Sequence, residues 1–171
     1  MKGQHIYLRA CEPTDLDSLY TWENDPEIRA AGEQLTPFSR HTLQNYLASA
    51  HDIYSQGQLR LMVCLNLDHR AIGTVDLTDF DSRHGRAGVG ILIDAGFRQR
   101  GYAREAMQLL MRYARETLGL RMLHCATHAE NTASRALFTH IGFEECGHRK
   151  QWYLSAHGPS DEILMQYLFT N

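Results

Sequence analysis

The stretch Ala87 to Met107, AGVGILIDAGFRQRGYAREAM, constrains this chain more than any other part of it. Gly88 to Ile93 is continuously apolar and has the length of a buried strand. Ala103, Ala106, Met107, Leu110, Met111 and Ala114 then recur at helical spacing over 103–115. Between the two stands Arg98-Gln99-Arg100-Gly101-Tyr102. A strand that passes through such a turn into a helix aims unpaired backbone N–H groups out of the helix N-terminus, where the dipole adds about half a positive charge. That is a seat for an anion, and phosphate suits it. Arg98, Arg100 and Arg104 crowd positive charge onto the same turn, which solvent or an anion must relieve. The same pattern also serves as a plain strand–turn–helix unit of an α/β protein, so the pattern alone leaves both readings open. Neither G-x-G-x-x-G nor G-x-x-x-x-G-K-[ST] is present, which weighs against a dinucleotide fingerprint and a P-loop.

The rest of the chain supplies a sheet for this unit. His5 to Arg9 alternates polar and apolar residues and predicts an opening strand, ended by Glu12-Pro13. Pro13, Asp15 and Asp17 favour a helix start, with Leu16, Leu19, Tyr20 and Trp22 as its buried stripe, and Asn24-Asp25-Pro26 breaks it. A short turn over 25–31 and a loop over 32–38 lead to Ser39, an N-cap for a helix over 40–54 that buries Leu43, Tyr46, Leu47 and Ala50. Leu59–Leu67 and Ala71–Phe80 read as a hairpin joined by Asp68-His69-Arg70. Alternation along the second run sets Asp76 and Thr78 on one face with Phe80, and Leu77, Asp79 and Asp81 on the other, so that one aspartate faces inward. Asp81 to Arg86 is a polar loop, and Gly119 ends the helix that follows the arginine turn. A strand over Met122–Thr127, a helix over Ala133–Ile141 stopped by Gly142, and strands over 145–154 and 162–169 around a loop at 157–160 complete the order. The expectation is an α/β (α+β) fold: one domain over 1–171, a mixed, mostly antiparallel sheet and about four helices on its faces.

Composition narrows the function classes. With 171 residues, 43% of them hydrophobic, the chain can bury a sizeable core. A net charge of −3 and no basic block beyond the arginine turn argue against nucleic acid as a partner. No run reaches the roughly 18 apolar residues of a membrane span, and MKGQHIYLRACEP has no apolar leader core. Cys11, Cys64, Cys125 and Cys146 are irregularly spaced, so neither a disulfide frame nor a structural zinc site is expected. The ten histidines show no i, i+4 pairing beside a carboxylate, and no metal site is expected. The chain reads as a soluble cytoplasmic protein with reduced thiols.

Arg98-x-x-Gly101-x-Ala103 after an apolar strand resembles the acetyl-CoA loop of the GNAT N-acetyltransferases. Asn131, Ser134, Gly142 and Phe143 in NTASRALFTHIGF fit that family's second motif, and the resemblance spans the whole chain. Trp22-Glu23-Asn24-Asp25-Pro26-Glu27 and the ending Glu162-Ile163-Leu164-Met165 resemble the polyamine and ribosomal-protein branch, nearest in character to bacterial spermidine acetyltransferases. The resemblance implies a GNAT-like sheet and acetyl-CoA as co-substrate, held by Ile91, Leu92, Ile93, Arg98, Gln99, Arg100, Gly101, Tyr102, Ala103, Arg104, Asn131, Ser134 and Phe138. It implies a primary amine as acceptor, a polyamine such as spermidine or spermine first, received by Trp22, Glu23, Glu33, Asp76, Asp79 and Asp81. It also implies a homodimer or larger homo-oligomer. The alternatives are an N-terminal, ribosomal-protein-like or amino-acid N-acetyltransferase, a non-catalytic acetyl-CoA sensor, and a regulatory domain that binds ATP or NAD at the same turn.

Two positions depart from the family pattern. The tyrosine that protonates the leaving thiolate in polyamine acetyltransferases is Phe138 here, which has no proton to donate. The glutamate that related enzymes carry on the strand before the turn is Gly88. An alkylammonium has a pKa of about 10.4, so some group must still take its proton. Asp79 acting through water is the first candidate, with Asp76 and Asp81 as alternatives. Backbone N–H groups of the strand are the expected oxyanion donors. Tyr102 is a candidate proton donor to the thiolate, against a packing role beside the loop.

Overall fold

The strand sequences at Ile6–Ala10 (β1), Leu59–Leu65 (β2), Ala71–Asp81 (β3), Arg86–Ile93 (β4), Met122–His128 (β5), Glu144–Ser155 (β6) and Gly158–Leu168 (β7) form one sheet in the order β1-β2-β3-β4-β5-β7-β6. The helices are Leu16–Glu23 (α1), Pro26–Ala31 (α2), Arg40–Ala48 (α3), Ile53–Gln56 (α4), Tyr102–Glu116 (α5) and Thr132–His140 (α6). This computed structural model describes residues 1–31, 36–49, 52–155 and 158–170. Neighbouring strands are antiparallel except β4 and β5, which run parallel. The expected mixed, mostly antiparallel sheet is therefore present, with four helices of eight residues or more and two shorter ones among the described residues.

Both faces of the sheet are covered, and β2 shows why. Its run Leu61-Met62-Val63-Cys64 is fully apolar, so alternate residues enter different cores. Leu61 and Val63 pack with Met107 and Leu110 of α5 and with Phe138 of α6. Met62 and Cys64 pack with Leu19 and Trp22 of α1 and with Leu43 and Leu47 of α3. Helix α5 buries Ala106, Met107, Leu109, Leu110, Met111 and Ala114, the stripe set by its 3.6-residue period. Each large side chain so buried contributes about 1.5–3 kcal/mol relative to exposure.

Ser39 caps α3 as its sequence predicts, accepting from the Thr42 N–H at 3.0 Å. Gly119 takes the left-handed conformation expected after α5, with φ +65°. Three expectations are corrected. The helix expected over 40–54 ends at Ala48, where Ser49 turns extended, and a separate four-residue helix restarts behind the Asp52 cap. Of the loop expected at 157–160, residue 157 lies outside the described residues, and from Gly158 the chain is already strand, paired with β6 from Gly158 opposite Ser155. Strict alternation along β3 fails after Thr78: the register jumps from Thr78 to Asp81, and Asp79 sits in the left-handed region at φ +47°. Among the described residues, no helix is long and apolar enough to cross a membrane.

Candidate active site

The two parallel strands separate. Arg86, Ala87 and Gly88 of β4 pair with Met122, Leu123 and His124 of β5, and the pairing stops there. β5 continues to His128 in register with β7, while β4 continues to Ile93 in register with β3. From Val89 to Ile93, β4 therefore has no strand among the described residues on its β5 side, over about 16 Å at 3.3 Å per residue. Backbone N–H and C=O groups along such an edge need partners, and an extended chain carrying amides can supply them. Helix α5 follows β4 and helix α6 follows β5, so both helix N-termini lie at the carboxyl end of the fork. Crevices outside the carboxyl ends of parallel strands are where α/β proteins receive ligands.

The arginine turn forms that end of the fork. Asp94 Oδ1 accepts from the Gly96 N–H at 2.9 Å, holding a short 3₁₀ turn over Ala95–Phe97. Gln99 at φ +60° and Gly101 at φ +81° then reverse the chain into α5. Glu105 is the first α5 residue whose N–H returns to the turn, bonding Gly101 O at 3.1 Å. The N–H groups of Tyr102, Ala103 and Arg104 are left at the helix end, as an anion seat requires. The three arginines differ in role. Arg98 Nε donates to Ile93 O at 3.0 Å and its Nη1 lies 3.3 Å from Glu27, so it braces the turn against β4 and α2. Arg100 and Arg104 are exposed and, with Arg112, line a cavity of about 420 Å³ beside the helix start.

The remaining cofactor candidates are placed as follows. Ile91 and Leu92 are half-buried and Ile93 is buried, all on the open length of β4. Tyr102, at the first position of α5, is half-buried against the main core, a packing position. Asn131 caps α6, its Oδ1 accepting from the Ser134 N–H at 3.1 Å. Phe138 is 3% exposed, with its ring centroid 5.0 Å from that of Phe143.

On the acceptor side, most of the expected carboxylates already have cations. Arg60 Nε donates to Asp76 Oδ1 at 2.6 Å, and its Nη1 pairs with Glu23. Burial pushes the Asp76 carboxyl above its ordinary range while the charge of Arg60 pulls against that. Asp81 closes the turn before β4, accepting from the His84 N–H at 2.9 Å and pairing with Arg86 at 3.2 Å. The His84 N–H, ahead of the two charges, holds the Asp81 carboxyl below its ordinary value. Trp22 is 5% exposed and its indole N–H donates to Asp94 Oδ2 at 2.9 Å, which ties α1 to the arginine turn. Asp79 is exposed at the bulge. Glu33 lies outside the described residues.

One residue at the fork escaped the sequence reading. His124 faces Gly88 across the last β4–β5 pair, and Thr78 faces Gly88 from β3. A Cβ placed on Gly88 would lie 2.5 Å from Thr78 Oγ1 and 3.4 Å from His124 Cε1. The space that a longer side chain at Gly88 would need is thus held by Thr78 and the imidazole. Burial lowers the His124 pKa below 6.5, with Asp79 raising it and Arg86 lowering it. A histidine in a strand carries no local signal for this; only the pairing register sets it opposite Gly88.

A bare strand edge that ends at a helix N-terminus matches the build of a coenzyme A thioester, whose arm carries amides and whose far end carries phosphates. The site is that of an acetyl-CoA-dependent N-acetyltransferase. Residues 5–144 match the acetyltransferase (GNAT) domain family, and the chain belongs to it. An uncharacterized N-acetyltransferase, p20 of Bacillus licheniformis, is 27% identical over 146 residues, covering 84% of this chain and 82% of that one. The spermidine N-acetyltransferase of Vibrio cholerae, solved in complex with CoA and spermine, superposes with a TM-score of 0.88 at 23% identity, covering 97% and 96% of the two chains. The ribosomal-protein-S5-alanine acetyltransferase of Vibrio fischeri superposes with a TM-score of 0.84 at 17% identity, covering 98% and 95%.

Proposed function

We propose that this chain, as a single domain over 1–171, acetylates a primary amine of a polyamine such as spermidine or spermine by direct attack on acetyl-CoA in a ternary complex. Asp79 carries this reading: an exposed carboxylate beside the fork, with no ion-pair partner among the described residues, attracts a cationic acceptor. The spermine bound by the Vibrio cholerae enzyme of the same fold supports it. The phosphates rest on the α5 N-terminus with Arg100 and Arg104, and the arm lies along Val89–Ile93, bringing the thioester to the fork. Backbone N–H groups of β4 stabilise the oxyanion. Orienting the amine against the thioester can supply about 7–11 kcal/mol of barrier lowering. The chain acts in the cytoplasm, consistent with its four free cysteines, and assembles as a homo-oligomer, for which the dodecameric structure of the Vibrio cholerae enzyme is the supporting parallel.

A second reading, acetylation of a protein N-terminus or an amino acid, is favoured by Arg60. Because Arg60 neutralises Glu23 and Asp76, the acceptor side has less free negative charge than a polycation would use. An acetylation screen across spermidine, spermine, amino acids and N-terminal peptides, read by mass spectrometry, separates the two. Turnover of spermidine or spermine is the expected result. Turnover of peptides or amino acids alone would establish the second reading, and tight acetyl-CoA binding with no turnover would make the chain a sensor.

A further inference from the structure

We propose that His124 is the group that takes the proton from the attacking amine. The inference rests on the acetyltransferase reading and adds the residue that the missing carboxylate at position 88 leaves unassigned. Its ground is position. His124 belongs to the last pair before β4 and β5 part, so it stands at the closed end of the fork, to which the proposed path of the cofactor arm leads. Its ring occupies the side of Gly88 on which a residue at 88 would project, with Cε1 3.4 Å from the Cβ position. Asp76 and Thr78 lie opposite Gly90 and Gly88, so half-buried His124, paired with Gly88 from β5, shares that face of the sheet with them. Of the carboxylates expected to act as base, Asp76 is held by Arg60 and Asp81 by Arg86 and the His84 N–H. Asp79 is exposed, and its charge acts on the His124 ring.

The step balances without another reagent. A nitrogen of neutral His124 accepts one proton from the substrate ammonium, directly or through one water, and later releases it to solvent. The freed lone pair forms the C–N bond to the thioester carbonyl carbon. Collapse of the tetrahedral intermediate breaks the C–S bond, the electron pair leaves on sulfur, and the second amine proton passes to the thiolate. The product is an amide and a free thiol. Burial pulls the His124 imidazole below its ordinary pKa, which favours the neutral state a proton acceptor needs. The charges acting on it are Asp79 of β3 and Arg86 of β4; its partner on β7, Gln166, is neutral.

The pH dependence of kcat/KM for spermidine tests this, with acetyl-CoA affinity measured alongside by calorimetry. In the wild-type chain kcat/KM should rise with pH through a pKa below 6.5 and then level off. His124→Gln should lower kcat/KM at pH 7 by roughly 10²–10⁴-fold with acetyl-CoA affinity retained. The plateau should be replaced by a rise that continues toward the pKa of the amine itself, about 10.4. Asp79→Asn, at an exposed position that threatens no core, removes the charge that raises the His124 pKa and should move the limb to lower pH. A limb that persists in His124→Gln, or stays in place in Asp79→Asn, overturns the assignment. If the wild-type chain acetylates no amine, the acetyltransferase reading falls together with this one. If it acetylates spermidine and His124→Gln keeps its rate and limb, only this inference falls.

Discussion

Arg60 and Asp76 are joined across adjacent strands, Nε to Oδ1 at 2.6 Å, and the same guanidinium holds Glu23 of α1. Two residues that the sequence offers to a cationic acceptor therefore share a cation built into the sheet. The side chains of Arg60 and Asp76 are 24% and 17% exposed, so removing one partner strands charge in a poorly hydrated place. Arg60→Leu should destabilise the fold by about 3 kcal/mol, read as a lowered urea midpoint. Adding Asp76→Asn to Arg60→Leu should recover part of the loss, because one unpaired carboxylate is then gone; a double variant no more stable than Arg60→Leu would show that the pair is not coupled.

Arg9 grips Asp15 with two bonds, at 2.6 and 2.7 Å, and the Glu12 N–H adds a third at 2.8 Å. Burial alone would raise the Asp15 pKa, but these bonds outweigh it and hold the carboxyl below 3.8. A depressed folded pKa adds stability above the ordinary carboxylate value, and that stability is lost as pH falls through the folded pKa. Asp15→Asn should therefore be less stable than wild type at pH 7, by about 2 kcal/mol. The gap should close in acid below 3.8, as urea midpoints across the pH range would record.

Gly101 holds the turn before α5 at φ +81°, and a Cβ there would meet nothing within 4 Å. The cost of Gly101→Ala is consequently backbone strain alone, about 1–2 kcal/mol. Because the turn aims the N–H groups of the anion seat, the variant should raise KM for acetyl-CoA several-fold and leave kcat nearly unchanged. Steady-state kinetics with the acceptor saturating would check this.

Arg98→Ala with Arg100→Ala should raise KM for acetyl-CoA, and the structure divides the effect. Arg100 is exposed, so Arg100→Ala alone should weaken cofactor binding in a salt-dependent way, most at low ionic strength. Arg98 also braces Ile93 and Glu27, so Arg98→Ala should lower the thermal midpoint as well. Unchanged acetyl-CoA kinetics in the double variant would remove the arginines from the phosphate seat.

Much of the fold is legible because local rules and tertiary packing agree there. The α5 stripe, the Ser39 cap, the left-handed Gly119 and the strand–turn–helix at residues 87–107 each follow from residue type and spacing. The misreadings share a cause: a local pattern was carried past a point where the backbone departs from it. Ala50 continues the period of α3, but Ser49 is already extended and Asp52 caps a new helix. Alternation assigns Asp79 a face, but the bulge between Thr78 and Asp81 turns it into the left-handed region.

Most of the elements, the arginine turn and the family pattern are written in the sequence, because hydrophobic period, glycine position and charge are properties of neighbouring residues. The fork between β4 and β5, the capture of Asp76 and Glu23 by Arg60, and the placement of His124 against Gly88 arise only when distant segments pack together. Each of these depends on strand register between segments distant in the chain. One residue of slip would turn every side chain of a strand to the opposite face, and no local pattern encodes which register wins.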